Sequence, residues 1–371
     1  FAPVSDVRRT LTPQLQTGAG ATALLLLDLG GGRNRLGGSA LAQVYKEIGA
    51  IPPDVDDAAM LESFFTAVQA LNRAGLLLAY HDRSDGGLFA CLCEMMFAGH
   101  TGMRVHLDGL GEDPFAALFA EELGAVLQVH EDALDEVINV LREHGLEDVA
   151  HAIGHPDKGD RLDISLQENT LISESRIDLQ RAWSETSYQM QALRDNSDCA
   201  RQAYDALLDS EDPVLQPRVS FDSNDDVTAT GAGRGARPRV AVLREQGVNG
   251  QVEMAAAFHS AGFDAVDVHM SDLLAGRQSL DGFRGLVARG GFSHGDVLGA
   301  GQGWAKSVLF HADLRDMFGE FLARENSISL GVCNGCQMLS TLRNIIPGAD
   351  GWPRFVRNES EQFEARFSQL E

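Results

Sequence analysis

Basic residues are the first shortage. Thirty Lys and Arg stand against 54 Asp and Glu, a net charge of −24 over 371 residues. Nucleic acids and anionic membranes are held by clustered cations, so neither is expected as a partner. Cysteine is scarce too. Five in a chain of this length build no disulfide framework, and no signal peptide is visible, so a reducing, cytoplasmic setting is expected. Long apolar runs are missing: "ATALLLLDL" is far short of the roughly 20 residues of a membrane span. The chain starts at Phe1 rather than Met, inside what reads as loop, as a piece of something larger would. Core material is plentiful, with 44% hydrophobic residues over a length sufficient for two or three domains.

Two blocks flank a compositional break. In the first, residues 1–210, "TALLLLDLG" reads as a buried strand and "GGSALAQVYKEIG" as a helix opened by glycines and Ser39. "DDAAMLESFFTAVQALNRAG" is a long amphipathic helix, with Leu61, Phe64, Phe65, Val68 and Leu71 on one stripe and Gly75 as its stop. "LLLAYH", "GAVLQVH" and "DRLDISLQ" read as strands; "GGLFACLCEMMFAG" and "EDALDEVINVLREHG" read as helices. The cluster "LDLGGGRNRLGGS" reads as a flexible loop rather than a phosphate cradle. Residues 211–238 mix Pro, Gly, Ser and acids without periodicity, the composition of a linker.

Residues 239–371 are rhythmic. "RVAVLRE", "FDAVDVHM", "FRGLVARG" and "SISLGV" read as strands, and "NGQVEMAAAFHSAG" and "NGCQMLSTLRN" as helices. That alternation predicts a parallel sheet with helices on both faces and chemistry at the carboxyl ends of the strands. "GGFSHGD" and "VCNGCQ" both fall there.

Cys333 has glycines two residues before and two after it, G-V-C-N-G, the spacing of a nucleophile elbow. A helix N-terminus beneath such a residue stabilises a thiolate, and the following N–H, on Asn334, is free for an oxyanion. A redox pair with Cys336 is the rival, but it does not need both glycines. A zinc site would need a second pair, and Cys91 and Cys93 sit on an apolar helix stripe in the other block. Cys336 is expected to be a buried core residue.

"HDRSDGGLF" follows a strand and opens a helix. Asp82 and Asp85 offer hard oxygens for Mg²⁺, and Gly86 and Gly87 offer N–H groups to a phosphate. A capped turn, with Ser84 or Asp85 as N-cap, explains the same residues equally well.

"GVCNGCQ" fits G-x-C-x-G-x-Q, the nucleophile motif of class I glutamine amidotransferases, and "GGFSHGD" resembles their oxyanion loop. "VAVLREQGVNG", "HMSDLL", "GGFSHGDVLGAGQGWAKS" and "WPRFVRN" narrow the resemblance to the phosphoribosylformylglycinamidine synthase family in its large single-chain form. "LGGSALAQVY" and "HDRSDGGL" are similar to the C-terminal half-domain of the aminoimidazole ribonucleotide synthetase superfamily, which that form fuses to its glutaminase. The implied fold is an α/β synthetase-type half-domain over 1–210, a linker, and over 239–371 a flavodoxin-like α/β/α glutaminase domain, incomplete at its C-terminus.

The resemblance implies that Cys333 attacks the glutamine amide, that Gly290, Gly291 and Asn334 hold the oxyanion, and that Gln337 contacts the glutamine. The ammonia would serve the ATP-dependent conversion of formylglycinamide ribonucleotide to its amidine, with the remaining N-terminal synthetase domains as partners. It also assigns Asp82 to Mg²⁺ beside a non-catalytic nucleotide, ATP or ADP, with Asp85, Gly86 and Gly87 nearby. The family's base, a histidine backed by a glutamate, lies C-terminal to the cysteine. Here no histidine follows His311, so the chain alone is expected to be inactive; His259, His269, His294 and His311 are the upstream candidates. Arg289 and His294 depart from the family pattern beside the oxyanion loop.

Overall fold

Leu24–Leu27 has no polar side, and the fold exposes none of it. In the computed structural model Leu24 and Leu26 join one core cluster and Leu25 and Leu27 another, because successive strand residues face opposite ways. The structure describes residues 3–4, 6–212, 219–222, 224–226, 228 and 235–365. The chain divides into two compact units, Phe1–Pro213 and Val214–Glu371. Residues 213–218, 223, 227 and 229–234 of the expected linker lie outside the described residues.

The first unit opens with β1 (Thr22–Asp28), α1 (Ala40–Val44), α2 (Ala58–Ala74), β2 (Leu77–Asp82) and α3 (Gly87–Gly99). It continues through β3 (Gly102–His106), α4 (Pro114–Phe119), β4 (Gly124–His130), α5 (Leu134–Glu143) and β5 (Ala150–Asp157). β6 (Arg161–Leu166), β7 (Asn169–Ser175), α6 (Arg176–Arg194) and α7 (Ser197–Asp205) complete it. The sheet order is β2-β4-β1-β5-β3-β6-β7, antiparallel throughout except for β3 with β6. Leu88, Leu92 and Met96 of α3 pack on one face; Val68 and Leu71 of α2, with Val137 and Leu141 of α5, pack on the other.

Packing shortens two helical expectations. α1 is little more than one turn after its Ser39 cap, since Val44, Tyr45 and Ile48 find nothing to bury against and Lys46 turns to φ 60°. The α2 stripe narrows to Val68 and Leu71 with Phe64 half-buried, leaving Leu61 and Phe65 exposed. Gly75 ends the helix in the left-handed conformation expected of it.

The glycine cluster is not a loose loop. Buried Asp28 accepts the N–H groups of Gly30 (3.2 Å) and Gly32 (2.7 Å) while pairing with buried Arg83. Buried Glu122 accepts the Arg35 N–H at 2.9 Å and its guanidinium at 2.8 and 2.7 Å.

The second unit is built from β8 (Arg239–Arg244), α8 (Gln251–Ser260), β9 (Asp264–His269), α9 (Met270–Leu274) and β10 (Gly285–Ala288). Then come α10 (Gln302–Leu309), α11 (Ala312–Leu322), β11 (Ile328–Gly331) and α12 (Asn334–Thr341). Its sheet, β11-β10-β8-β9, is entirely parallel. Trp304, Phe318 and Met338 of α10, α11 and α12 cover one face, and Met254 and Phe258 of α8 cover the other, an α/β/α sandwich. β11 is an edge strand, and Ile328, Leu330 and Val332 remain exposed along it. The chain order reverses between β8 and β10, so the crevice at their carboxyl ends is a topological switch point.

Candidate active site

Cys333 is the hinge between β11 and α12. It caps the helix with φ 53° and ψ −117°, a backbone conformation that non-glycine residues adopt only where the surroundings enforce it. The flanking glycines show what enforces it. A Cβ on Gly335 would lie 1.9 Å from the Ala288 carbonyl oxygen, and one on Gly331 would lie 2.8 Å from the Cys336 Cα. The elbow is therefore wedged against the end of β10, with the Cys333 thiol free and exposed.

Gly290 lies against that thiol: a Cβ there would stand 3.2 Å from Cys333 Cβ and 3.7 Å from Sγ. The N–H groups of Gly290, Gly291 and Asn334 have no acceptor among the described residues. Donors of this kind beside a nucleophile can receive an oxyanion.

Asn334 does more than its backbone implied. Its buried side chain accepts from Ser293 Oγ (2.7 Å) and donates to Asp296 Oδ1 (2.9 Å). His294, Gly295 and Asp296 all have positive φ, so this side chain clamps a strained loop onto the elbow. The spacing G-x-C-x-G carried no sign of that role.

Cys336 is not a core residue: it is exposed, over an apolar hollow shared with Leu339, Trp352 and Phe355. The helical period points it toward the sheet, but β11 is the edge strand among the described residues. Gln337 faces a different hollow, which it lines with Gln302, Thr341, Arg343 and Arg354. Cys91 and Cys93 are free and buried; burial pushes the Cys91 thiol well up and that of Cys93 up to about 12, so both are inert at neutral pH.

No histidine hydrogen-bonds to the Cys333 thiol among the described residues. His259 meets the Arg237 guanidinium at 3.0 Å, and His269 caps α9 by accepting the Ser271 N–H at 3.1 Å. His311 stands at the N-cap of α11. His294 sits in the clamped loop, its Nε2 3.7 Å from Glu245 Oε2.

The acidic loop of the first unit is organised differently from expectation. The N-cap of α3 is Gly86, not Ser84 or Asp85. Its N–H donates to Glu121 Oε1 at 2.8 Å, and the Gly87 N–H donates to the Ser84 carbonyl at 2.9 Å. The same Glu121 oxygen accepts the Ala40 N–H at 2.8 Å, so a carboxylate already fills the place expected for a phosphate. Asp82 and Asp85 are exposed, and His81 is held by Glu94 at 2.7 Å. No group of three or more His, Cys, Asp or Glu that could hold a metal exists among the described residues. As arranged, the Gly86 N–H that a phosphate would need is taken by Glu121, while Asp82 and Asp85 stand exposed.

Two family models match, one in each unit. Residues 23–167 match the C-terminal domain of AIR synthase related proteins, and residues 237–371 match the CobB/CobQ-like glutamine amidotransferase domain. The chain joins a synthetase-type half-domain to an amidotransferase-type domain. Among solved structures, T. maritima PurL complexed with ATP is 13% identical, with a TM-score of 0.37, over 47% of this chain and 27% of that one. T. maritima PurL complexed with FGAR gives 13% identity and a TM-score of 0.38 over 47% and 30%. E. coli HypE, a hydrogenase maturation protein, gives 19% and 0.33 over 45% and 52%. The match thus spans less than a third of the PurL chains. No helix among the described residues is long and apolar enough to cross a membrane.

Proposed function

We propose that this chain carries the ammonia-releasing site of an amidoligase of the phosphoribosylformylglycinamidine synthase type. The observation that carries the reading is Cys333 in the strained elbow, touching Gly290 and followed by the unpartnered Asn334 N–H.

The Cys333 thiolate attacks the side-chain amide carbon of glutamine, and the carbonyl oxygen becomes an oxyanion received by the N–H groups of Gly290, Gly291 and Asn334. Collapse breaks the C–N bond. The nitrogen leaves as ammonia after taking back the proton that the thiol gave up, a transfer the family's C-terminal histidine would carry, and the glutamyl thioester remains; water then hydrolyses it to glutamate and the free thiol. Gln337 contacts the substrate from α12, one helical turn past the nucleophile. The ammonia serves an ATP-dependent amination of formylglycinamide ribonucleotide by synthetase domains of the kind residues 23–167 resemble. No step runs through Mg²⁺ at Asp82. A nucleotide phosphate at Gly86 requires Glu121 to leave it first.

The test is to expose the chain to glutamine, quench in acid and weigh the peptide bearing Cys333. A gain of one glutamyl group, absent in Cys333→Ser and kept in Cys336→Ser, is expected once the chain is extended by a segment carrying the family's histidine and glutamate, and none from this chain alone, where no histidine follows His311. A disulfide between the two cysteines, with no adduct, would overturn the proposal in favour of a redox pair.

A further inference from the structure

Arg289 closes β10 immediately before the oxyanion glycines and is 1% exposed. Its Nε, Nη1 and Nη2 are all buried, and none has a hydrogen-bond partner. A guanidinium carries five N–H donors and never sheds its charge, so a buried one without an acceptor is a cation awaiting an anion. What it faces is informative. Nη1 lies 3.9 Å from where a Cβ on Gly250 would stand, so the space left by that missing side chain adjoins the guanidinium.

Gly250 is the N-cap of α8, a ten-residue helix, and offers no side chain to cap it. The N–H groups of Gln251, Val252 and Glu253 have no acceptor among the described residues. An uncapped helix N-terminus and a buried guanidinium therefore converge on one point, in the crevice where the sheet order reverses. The other charges nearby are accounted for. Arg244 pairs with Asp267 at 3.1 Å, which takes up the carboxylate at the end of β9. Glu253, exposed in the first turn of α8, has Oε2 3.8 Å from the same missing Cβ, on the rim of the space. Asp267 also faces Arg289 but is engaged by Arg244, which leaves Glu253 as the carboxylate free to compete for it.

We propose that this crevice binds a small tetrahedral oxyanion of the phosphate class, received by the Arg289 guanidinium and the open N-terminus of α8. The site is distinct from the thiol, yet joined to it: the carbonyl of Gly290, next to Arg289, accepts the Asn249 N–H at 3.2 Å from the loop leading into α8. An anion here steadies the loop that presents the oxyanion donors, whatever the reaction at Cys333.

Inorganic phosphate is the probe. The full chain, titrated with phosphate against chloride at equal ionic strength, should show saturable phosphorus NMR line broadening and a rise in melting temperature specific to phosphate. Arg289→Met should weaken both responses at least about ten-fold, as expected for loss of a charge-assisted hydrogen bond. Glu253→Gln removes the competing carboxylate and should tighten binding several-fold without touching the guanidinium. Circular dichroism of each variant shows whether it folds, and Glu253→Gln decides the matter even if Arg289→Met does not. Phosphate acting no differently from chloride on the unaltered chain would overturn the proposal. So would Glu253→Gln losing both stability and the phosphate response, which would make Glu253 the intramolecular partner of Arg289.

Discussion

At the scale of single residues, the site was legible where its constraints are local. G-V-C-N-G spells a tight turn because contacts within a few residues demand glycine, and Gly335 meets Ala288 as such a turn requires. Gly335→Ala should cost the second unit about 1–3 kcal/mol, the usual penalty for forcing a group into packed structure. Urea unfolding measures that loss, and alkylation of Cys333 should fall with it. Exposure was not legible. Cys336 sits at an inward-facing helical position, but whether anything covers it depends on β11 being an edge, which spacing does not encode. The Asn334 clamp joins residues about 40 positions apart and was equally invisible. Asn334→Ala removes both hydrogen bonds and should destabilise the second unit by about 1–3 kcal/mol. A matched Ser293→Ala variant and the double variant would show, in a cycle, whether the loop is held through that one side chain.

At the scale of elements, strands and helices with strong periodicity appeared where expected, and weakly patterned ones did not. β3, β5 and β7 went unread because "GMRVH", "AHAIGHPD" and "NTLISES" carry too few apolar residues to declare a face. The glycine loop after β1 shows the converse. Its sequence suggests slack, but Asp28 and Glu122 organise it from elsewhere in the unit. Burial would raise the Glu122 carboxyl, but its hydrogen bonds and ion pair with Arg35 outweigh this and hold it below its ordinary 4.5. A carboxyl depressed by folding contributes stability that is fully present above its unfolded value. That stability drains as pH falls through the folded value. The first unit should therefore lose stability below about pH 4.5. In Glu122→Gln the acid limb should be shallower, and stability at neutral pH lower by about 1.5–3 kcal/mol. Denaturant midpoints across pH check both. Identical acid limbs in the two proteins would remove Glu122 from the account.

At the scale of the whole molecule, two blocks of different rhythm in the sequence correspond to two sheets of different kind. One is a mostly antiparallel seven-stranded sheet and the other an all-parallel four-stranded one. Each carries its own family match. Alternating strands and helices announced the parallel sheet, because each crossover must return over a face. The seven-stranded order could not be read in the same way, since β5 and β3 lie between β1 and β6 only through contacts distant in sequence.

The central claim is that Cys333 is a nucleophile built for glutamine. The most direct measurement is intact mass spectrometry after brief exposure to diazo-oxonorleucine, a glutamine analogue that alkylates such thiols. On a longer chain that also carries the family's histidine and glutamate, one adduct is predicted, retained in Cys336→Ser, lost in Cys333→Ser and suppressed by excess glutamine; this chain, with no histidine after His311, should give none. No adduct on the longer chain, or one that follows Cys336 instead, would contradict the account.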